Sequence, residues 1–209
     1  MPTAGEFQLL RVNLAIWSAW CSKSRVDLFS TAIALPSDGG LVLVDPIALS
    51  PDALARFVAQ FGPPRTILLT SSNHERESLW FWQQFPEIHV LAHPEACPEL
   101  NVRAQPLLLD GVIPCPGLRI VELPGAAPGE IGILIEESQT LVLGDILINL
   151  DNFGFGLLPD KYATSPERLR QSVHKIASLN PTALLFAHGP PILSSVPARL
   201  ADLLSQMHT

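Results

Sequence analysis

The sequence predicts an α/β fold in which two β-sheets are sandwiched between helices, and three patterns carry that expectation. Apolar runs of strand length alternate with helix-like segments in the first half, from Leu41-Val42-Leu43-Val44 through residues 52–60 to Thr66-Ile67-Leu68-Leu69. Three more short runs follow in the middle of the chain, separated by tight polar turns. The last third returns to helix, buried strand and helix. The alternating part predicts parallel pairing through crossover helices, and the middle part predicts antiparallel pairing.

Taken in order, residues 28–35 and 41–44 are apolar β-type runs flanking Pro36-Ser37-Asp38-Gly39-Gly40, which predicts a hairpin. Ser50-Pro51-Asp52 reads as an N-cap with proline at the first helical position, and Leu54, Phe57 and Val58 share one face of the helix over 52–60. The strand at 66–69 leads into a polar turn, then a helix over about 75–84 and a strand at 88–92. The runs 118–123, 131–135 and 140–143 are the middle strands. An irregular stretch is expected from Asp145 to Asp160. Ser165-Pro166-Glu167 then caps a helix to about Ala177, followed by a buried strand at 183–186 and a helix over about 197–206.

A chain of 209 residues with 47% hydrophobic and 16% charged residues has ample core material and fits one domain spanning residues 1–209. Twenty acids against thirteen bases give a net charge of −7, which argues against a nucleic-acid partner or an anionic membrane surface. The sequence has no apolar run of membrane length and no signal-like N-terminus, so a cytoplasmic protein is expected. Cys21, Cys97 and Cys115 are odd in number, widely spaced and without a C-x-x-C pair, which predicts buried or semi-buried thiols and no cysteine zinc site.

The junction Thr70-Ser71-Ser72-Asn73-His74-Glu75-Arg76 follows a strand and opens a helix. Four other landmarks sit at predicted strand ends: Leu43-Val44-Asp45, Leu123-Pro124-Gly125-Ala126-Ala127-Pro128-Gly129, Leu143-Gly144-Asp145 and Ala187-His188-Gly189. In this order they resemble the metallo-β-lactamase superfamily, whose turn is written T-H-x-H-x-D-H and whose later loops are P-G-H-T-P-G, G-D and H-G. The resemblance covers nearly the whole chain and implies the four-layer αββα sandwich of that family and a hydrolase-like activity.

It also implies an altered metal site. By register, the first metal's ligands would be Ser71, Asn73 and Ala126, and alanine cannot ligate. The second set reads Glu75, Arg76, His188 and Asp145, with a permanent cation at Arg76. The preferred reading pairs the Arg76 guanidinium with Asp145 or Glu75, so that no metal or other cofactor is favoured. The pocket candidates are therefore Asp45, Glu75, Arg76 and Asp145. His74 keeps an alternative open. A local shift of the turn would swing it inward, and His74, Asp145 and His188 would then hold one divalent ion such as zinc, manganese or iron.

Two functions follow. One is a metal-free protein that keeps the pocket as a small-molecule-binding or interaction module; the other is a single-metal hydrolase. Asp45 also suits a strand-end cap, and His188 a turn-organising role. His89 and His93 read as ordinary, partly exposed histidines, and His174 and His208 as solvated. Trp17, Trp20, Trp80 and Trp82 read as core residues ahead of ligand-stacking ones. The stretch from Asn149 to Gly156 falls beside the pocket mouth, either lining it or simply packed. The apolar stretch from Leu9 to Trp20 suits an interface or a core, and oligomeric state stays open. No P-loop, dinucleotide fingerprint or G-x-S-x-G elbow offers another catalytic engine.

Overall fold

The computed structural model describes residues 2–36, 40–107 and 115–207. The tip of the predicted turn at 37–39 and His208 lie outside the described residues.

The elements in chain order begin with β1 (Thr3–Ala4), β2 (Gln8–Arg11), β3 (Leu14–Cys21), β4 (Val26–Ala34), β5 (Leu41–Val44) and β6 (Ala48–Leu49). Helix α1 (Pro51–Phe61), β7 (Pro64–Leu68), α2 (Ser78–Gln84), β8 (His89–Ala92) and β9 (Gln105–Pro106) complete the first half. The second half runs through β10 (Leu118–Glu122), β11 (Ile131–Ile135), β12 (Thr140–Leu143), β13 (Leu147–Leu150), β14 (Gly154–Leu157), α3 (Pro166–Ser178), β15 (Ala183–Phe186) and α4 (Val196–Met207).

One sheet has seven strands in the order β2-β3-β4-β5-β7-β8-β9, and the other has four, β10-β11-β12-β15. The β4–β5 hairpin is antiparallel, while β5, β7, β8 and β9 pair in parallel. In the second sheet β10, β11 and β12 are antiparallel and β15 joins β12 in parallel. Both pairing modes match the sequence patterns.

The layers follow from period-two alternation in strands that are apolar on both faces. In β5, Leu41 and Leu43 face a core shared with Phe57 of α1 and Phe81 of α2. Val42 and Val44 face the other way, into a core shared with Ile131, Ile133 and Val142 of the second sheet. In β12, Leu141 and Leu143 face a third core, with Leu169 and Val173 of α3 and Leu200 of α4. Three apolar layers between four layers of secondary structure make the αββα sandwich. The Ser50 hydroxyl accepts from Ala53 N at 3.3 Å and the Ser165 hydroxyl from Arg168 N at 3.4 Å, so both predicted N-caps form.

Three expectations need correction. The stretch after Asp145 is not irregular: β13 and β14 form an antiparallel hairpin across the turn at 151–153. Glycines at 154 and 156 masked its strand signal, because they weaken alternation while still pairing through their backbone. Trp17 and Trp80 do join the first core, but Trp20 and Trp82 are exposed. Residues two apart on a helix face different directions, so α2 buries only part of the Trp80/Trp82 pair. His93 is buried rather than partly exposed, with Nε2 3.3 Å from Glu122 Oε1 and Nδ1 accepting from Glu95 N. His89 and His174 are exposed as expected, and all three cysteines are free.

Candidate functional site

Four strand ends converge at one edge of the sandwich. After β5, Asp45 takes a left-handed conformation (φ 49°), which an aspartate tolerates better than most side chains. Its carboxylate turns back onto the end of β7, accepting from Thr70 N at 2.8 Å and from the Thr70 hydroxyl at 2.6 Å. Asp45 is 2% exposed, so these contacts satisfy a buried charge. It is a strand-end cap and a site residue at once.

The turn after Thr70 is a short 3-10 segment, Ser72–His74. Its tighter winding leaves Asn73 exposed and His74 buried. His74 Nδ1 lies 2.7 Å from the Thr70 hydroxyl and 3.2 Å from Asp45 Oδ2. The hydroxyl gives its proton to Asp45, so it accepts from Nδ1–H, and this fixes the ring. His74 Nε2 is thereby aimed at Asp145 Oδ1, 3.3 Å away.

His188 comes from the end of β15. Its backbone bridges to Leu28 of β4, and its carbonyl accepts from Asn149 N of β13. Gly189 follows with φ 103°, and a Cβ there would meet Asn149 O at 1.8 Å, so only glycine lets the chain pass so close to the β13–β14 hairpin. His188 Nε2 also lies 3.3 Å from Asp145 Oδ1. The three donor atoms of His74, Asp145 and His188 all fall within 4.8 Å of one another.

Burial opposes the charged form of His74, but the carboxylates of Asp145 and Asp45 outweigh it and raise the ring to about 10. Burial likewise opposes ionisation of Asp145, yet the His74 imidazolium holds that carboxyl below the usual range. His188 is pushed down to about 4, first by burial, against the pull of Asp145. The two rings are thus pushed in opposite directions, His74 up by its carboxylates and His188 down by burial.

Two other turn residues are not where the sequence reading put them. The Glu75 carboxylate faces away, accepting from Asn101 N at 2.8 Å, Asn101 Nδ2 at 3.0 Å and Val102 N at 2.8 Å. It organises the loop after β8. Arg76 forms no hydrogen bond to a carboxylate among the described residues. Its guanidinium donates to the carbonyls of Phe29, Asp45 (3.0 Å) and Ala187 (3.1 Å). Arg76 has φ 47°, a left-handed turn, and its side chain reaches the middle of β4 and the ends of β5 and β15. Burial pushes the guanidinium below its ordinary value, and Asp45 and then Asp145 oppose that by supporting its charge through space. The expected ion pair is therefore replaced by a clamp on three carbonyls, two of which, Asp45 O and Ala187 O, also accept from the Ser30 hydroxyl and from Phe29 N.

Of the positions aligned with the first metal, Ser71 and Ala126 are buried and Asn73 is turned to solvent. The sequence reading missed one residue altogether. Glu130, 3% exposed, accepts from Asp145 N at 2.7 Å through Oε1. Burial, and then the neighbouring Asp145, push its carboxyl well above the usual range. The available signal was an acid between the Pro-Gly loop and the otherwise apolar β11.

Two hollows adjoin the centre. One of about 260 Å³ lies beside Gly189 and is bordered by Trp20, Arg25, Asp27 and Asn152. The other, of about 500 Å³, runs between the 124–130 loop and α3, with Glu130, Arg168 and Lys175 on its walls.

The fold recurs in solved structures. A metallo-beta-lactamase family protein from Thermus thermophilus is 19% identical, with a TM-score of 0.71, 96% of this chain covered and 81% of that one. A metallo-beta-lactamase from Erythrobacter litoralis is 17% identical, with a TM-score of 0.70 and coverage of 97% and 94%. The metallo-beta-lactamase FIM-1 from Pseudomonas aeruginosa, in its mono-zinc form, is 14% identical, with a TM-score of 0.75 and coverage of 96% and 95%. No curated protein sequence matches. A family model described as the metallo-beta-lactamase superfamily matches residues 7–207, and the chain belongs to that superfamily.

Proposed function

We propose that this chain is a hydrolase working with one divalent ion, held by His74, Asp145 and His188, rather than with the two ions of the family's usual chemistry. One observation carries the reading. Asp145 Oδ1 is buried without a hydrogen-bond partner among the described residues, and the Nε2 atoms of two histidines flank it at 3.3 Å each. Each of those two spacings matches the edge of a tetrahedral site with bonds of about 2.0–2.2 Å, the third pair of donors lies within 4.8 Å, and the donor set suits zinc, manganese or iron.

A bound ion would supply an acidified water and polarise a substrate oxygen. The chain's own residues prepare the site. Asp45 and Thr70 hold His74 with Nε2 inward, as outer carboxylates do for metal-bound imidazoles. Arg76 ties β4 at Phe29 to the ends of β5 and β15 at Asp45 and Ala187. Ser71, Asn73 and Ala126 offer no comparable second set, which limits the site to one ion. Part of the surrounding surface is open, because His188 and Asp145 keep 18% and 13% of their side chains exposed. A small-molecule substrate is the partner this reading implies. No described helix is long and apolar enough to cross a membrane.

The test is a zinc titration against a competing chromophoric chelator, followed by assay of the loaded protein on an aryl ester, an aryl phosphodiester and a thioester. The proposal expects one ion per chain and ion-dependent turnover of at least one probe class. Stoichiometric binding without turnover on any class would favour a binding module instead.

A further inference from the structure

Glu130 has no place in the ion-binding set, yet its carboxyl lies against one member of it. Strand β12 ends at Leu143, so the Asp145 backbone N–H falls beyond the sheet ladder and needs another acceptor. Glu130 Oε1 provides it at 2.7 Å. The Glu130 backbone is itself fixed, because Leu123 N donates to its carbonyl and the following Ile131 N donates to Thr70 O. Thr70 is the residue that, with Asp45, orients His74. Glu130 thus joins the half of the centre carrying His74 to the half carrying Asp145.

We propose that Glu130 is the positioning residue for Asp145, holding its backbone so that Oδ1 faces both imidazoles. The consequence for ion affinity rests on the one-ion reading; the contact itself does not. Two features single Glu130 out from an incidental buried acid. Its second oxygen, Oε2, is buried without a partner among the described residues, an arrangement that costs stability and that an apolar residue of similar size would avoid. The space it occupies is also reserved for it. A Cβ on Gly144 would lie 2.2 Å from Glu130 Oε1 and 2.7 Å from the Thr70 hydroxyl, so Gly144 leaves room for the carboxyl to reach the next amide.

The test uses Glu130→Gln, which keeps an acceptor oxygen, Glu130→Leu, which keeps volume without one, and Gly144→Ala, which displaces the carboxyl without altering it. Two readouts are taken: zinc affinity by chelator competition, and the amide proton shift and exchange rate of Asp145 in ion-free protein. Glu130→Leu and Gly144→Ala are expected to weaken zinc binding about 10- to 100-fold, the range typical of outer-shell partners. Both should shift the Asp145 amide and speed its exchange, while Glu130→Gln stays within about threefold of wild type in affinity. Wild-type affinity in Glu130→Leu, or an equal loss in Glu130→Gln, overturns the proposal. If the wild type takes up no zinc, the one-ion reading fails alone. The Asp145 amide then decides: unchanged in Glu130→Leu, it overturns the positioning role, and shifted there but kept in Glu130→Gln, it supports it.

Discussion

Replacing Arg76 by alanine removes a guanidinium that donates to the carbonyls of Phe29, Asp45 and Ala187, although Asp45 O keeps the Ser30 hydroxyl and Ala187 O keeps Phe29 N as donors. Hydrogen bonds from a charged group each contribute about 1.5–3 kcal/mol net. The three share one partly buried side chain, and water will reach some of the vacated acceptors, so their sum overstates the loss. A destabilisation of about 2–4 kcal/mol is expected, which for a chain of this size lowers Tm by roughly 5–15 °C. Lysine at this position retains the charge but presents a single nitrogen that cannot span carbonyls from β4, β5 and β15 together. Arg76→Lys should therefore recover less than half of the loss. Differential scanning calorimetry on ion-free protein at pH 7 measures both. A Tm for Arg76→Ala within about 1 °C of wild type would refute the clamp, and full recovery by lysine would show that charge alone, not the fork of donors, matters.

Asp45→Ala leaves the buried Thr70 amide and the Thr70 hydroxyl proton without their acceptor, and His74 without one of its carboxylates, so a loss of about 3–5 kcal/mol is expected by chemical denaturation. Asp45→Asn, which keeps an acceptor and tolerates the left-handed backbone, should cost clearly less. His188→Ala should abolish stoichiometric ion binding, read by elemental analysis, while far-UV circular dichroism stays as in the wild type. Burial pushes the Cys115 thiol up to about 11, so at pH 8 it stays protonated. Iodoacetamide should label Cys115 only after unfolding, as followed by mass spectrometry.

The fold was legible because its strands obey simple patterning. Runs such as Leu41 to Val44 and Ile131 to Ile135 are apolar on both faces, which only strands sandwiched between two layers require. The β13–β14 hairpin was not, since Gly154 and Gly156 pair without side chains and leave no alternation to read. In the site, Asp45, Asp145 and His188 were legible as strand-end residues of the family's order. His74 was legible only as an alternative, because a 3-10 turn advances the chain differently from the register that spacing assumes, turning Asn73 out and His74 in. Arg76 and Glu75 were misplaced for one reason: both were matched to side-chain partners, whereas each bonds mainly to backbone groups in strands, strand ends and loops. Glu130 falls opposite Asp145 only when the β11–β12 hairpin register, Gly132 against Leu143, is carried past the strand ends, and that register is not given by residue type or spacing alone.

The central claim is that three side chains converge on one ion. Anomalous diffraction from crystals of the zinc-loaded protein, collected on both sides of the zinc edge, tests it directly. The account predicts a single peak, within about 2.0–2.2 Å of His74 Nε2, Asp145 Oδ1 and His188 Nε2. No peak at that position, or a second one among Ser71, Asn73 and Ala126, would contradict it.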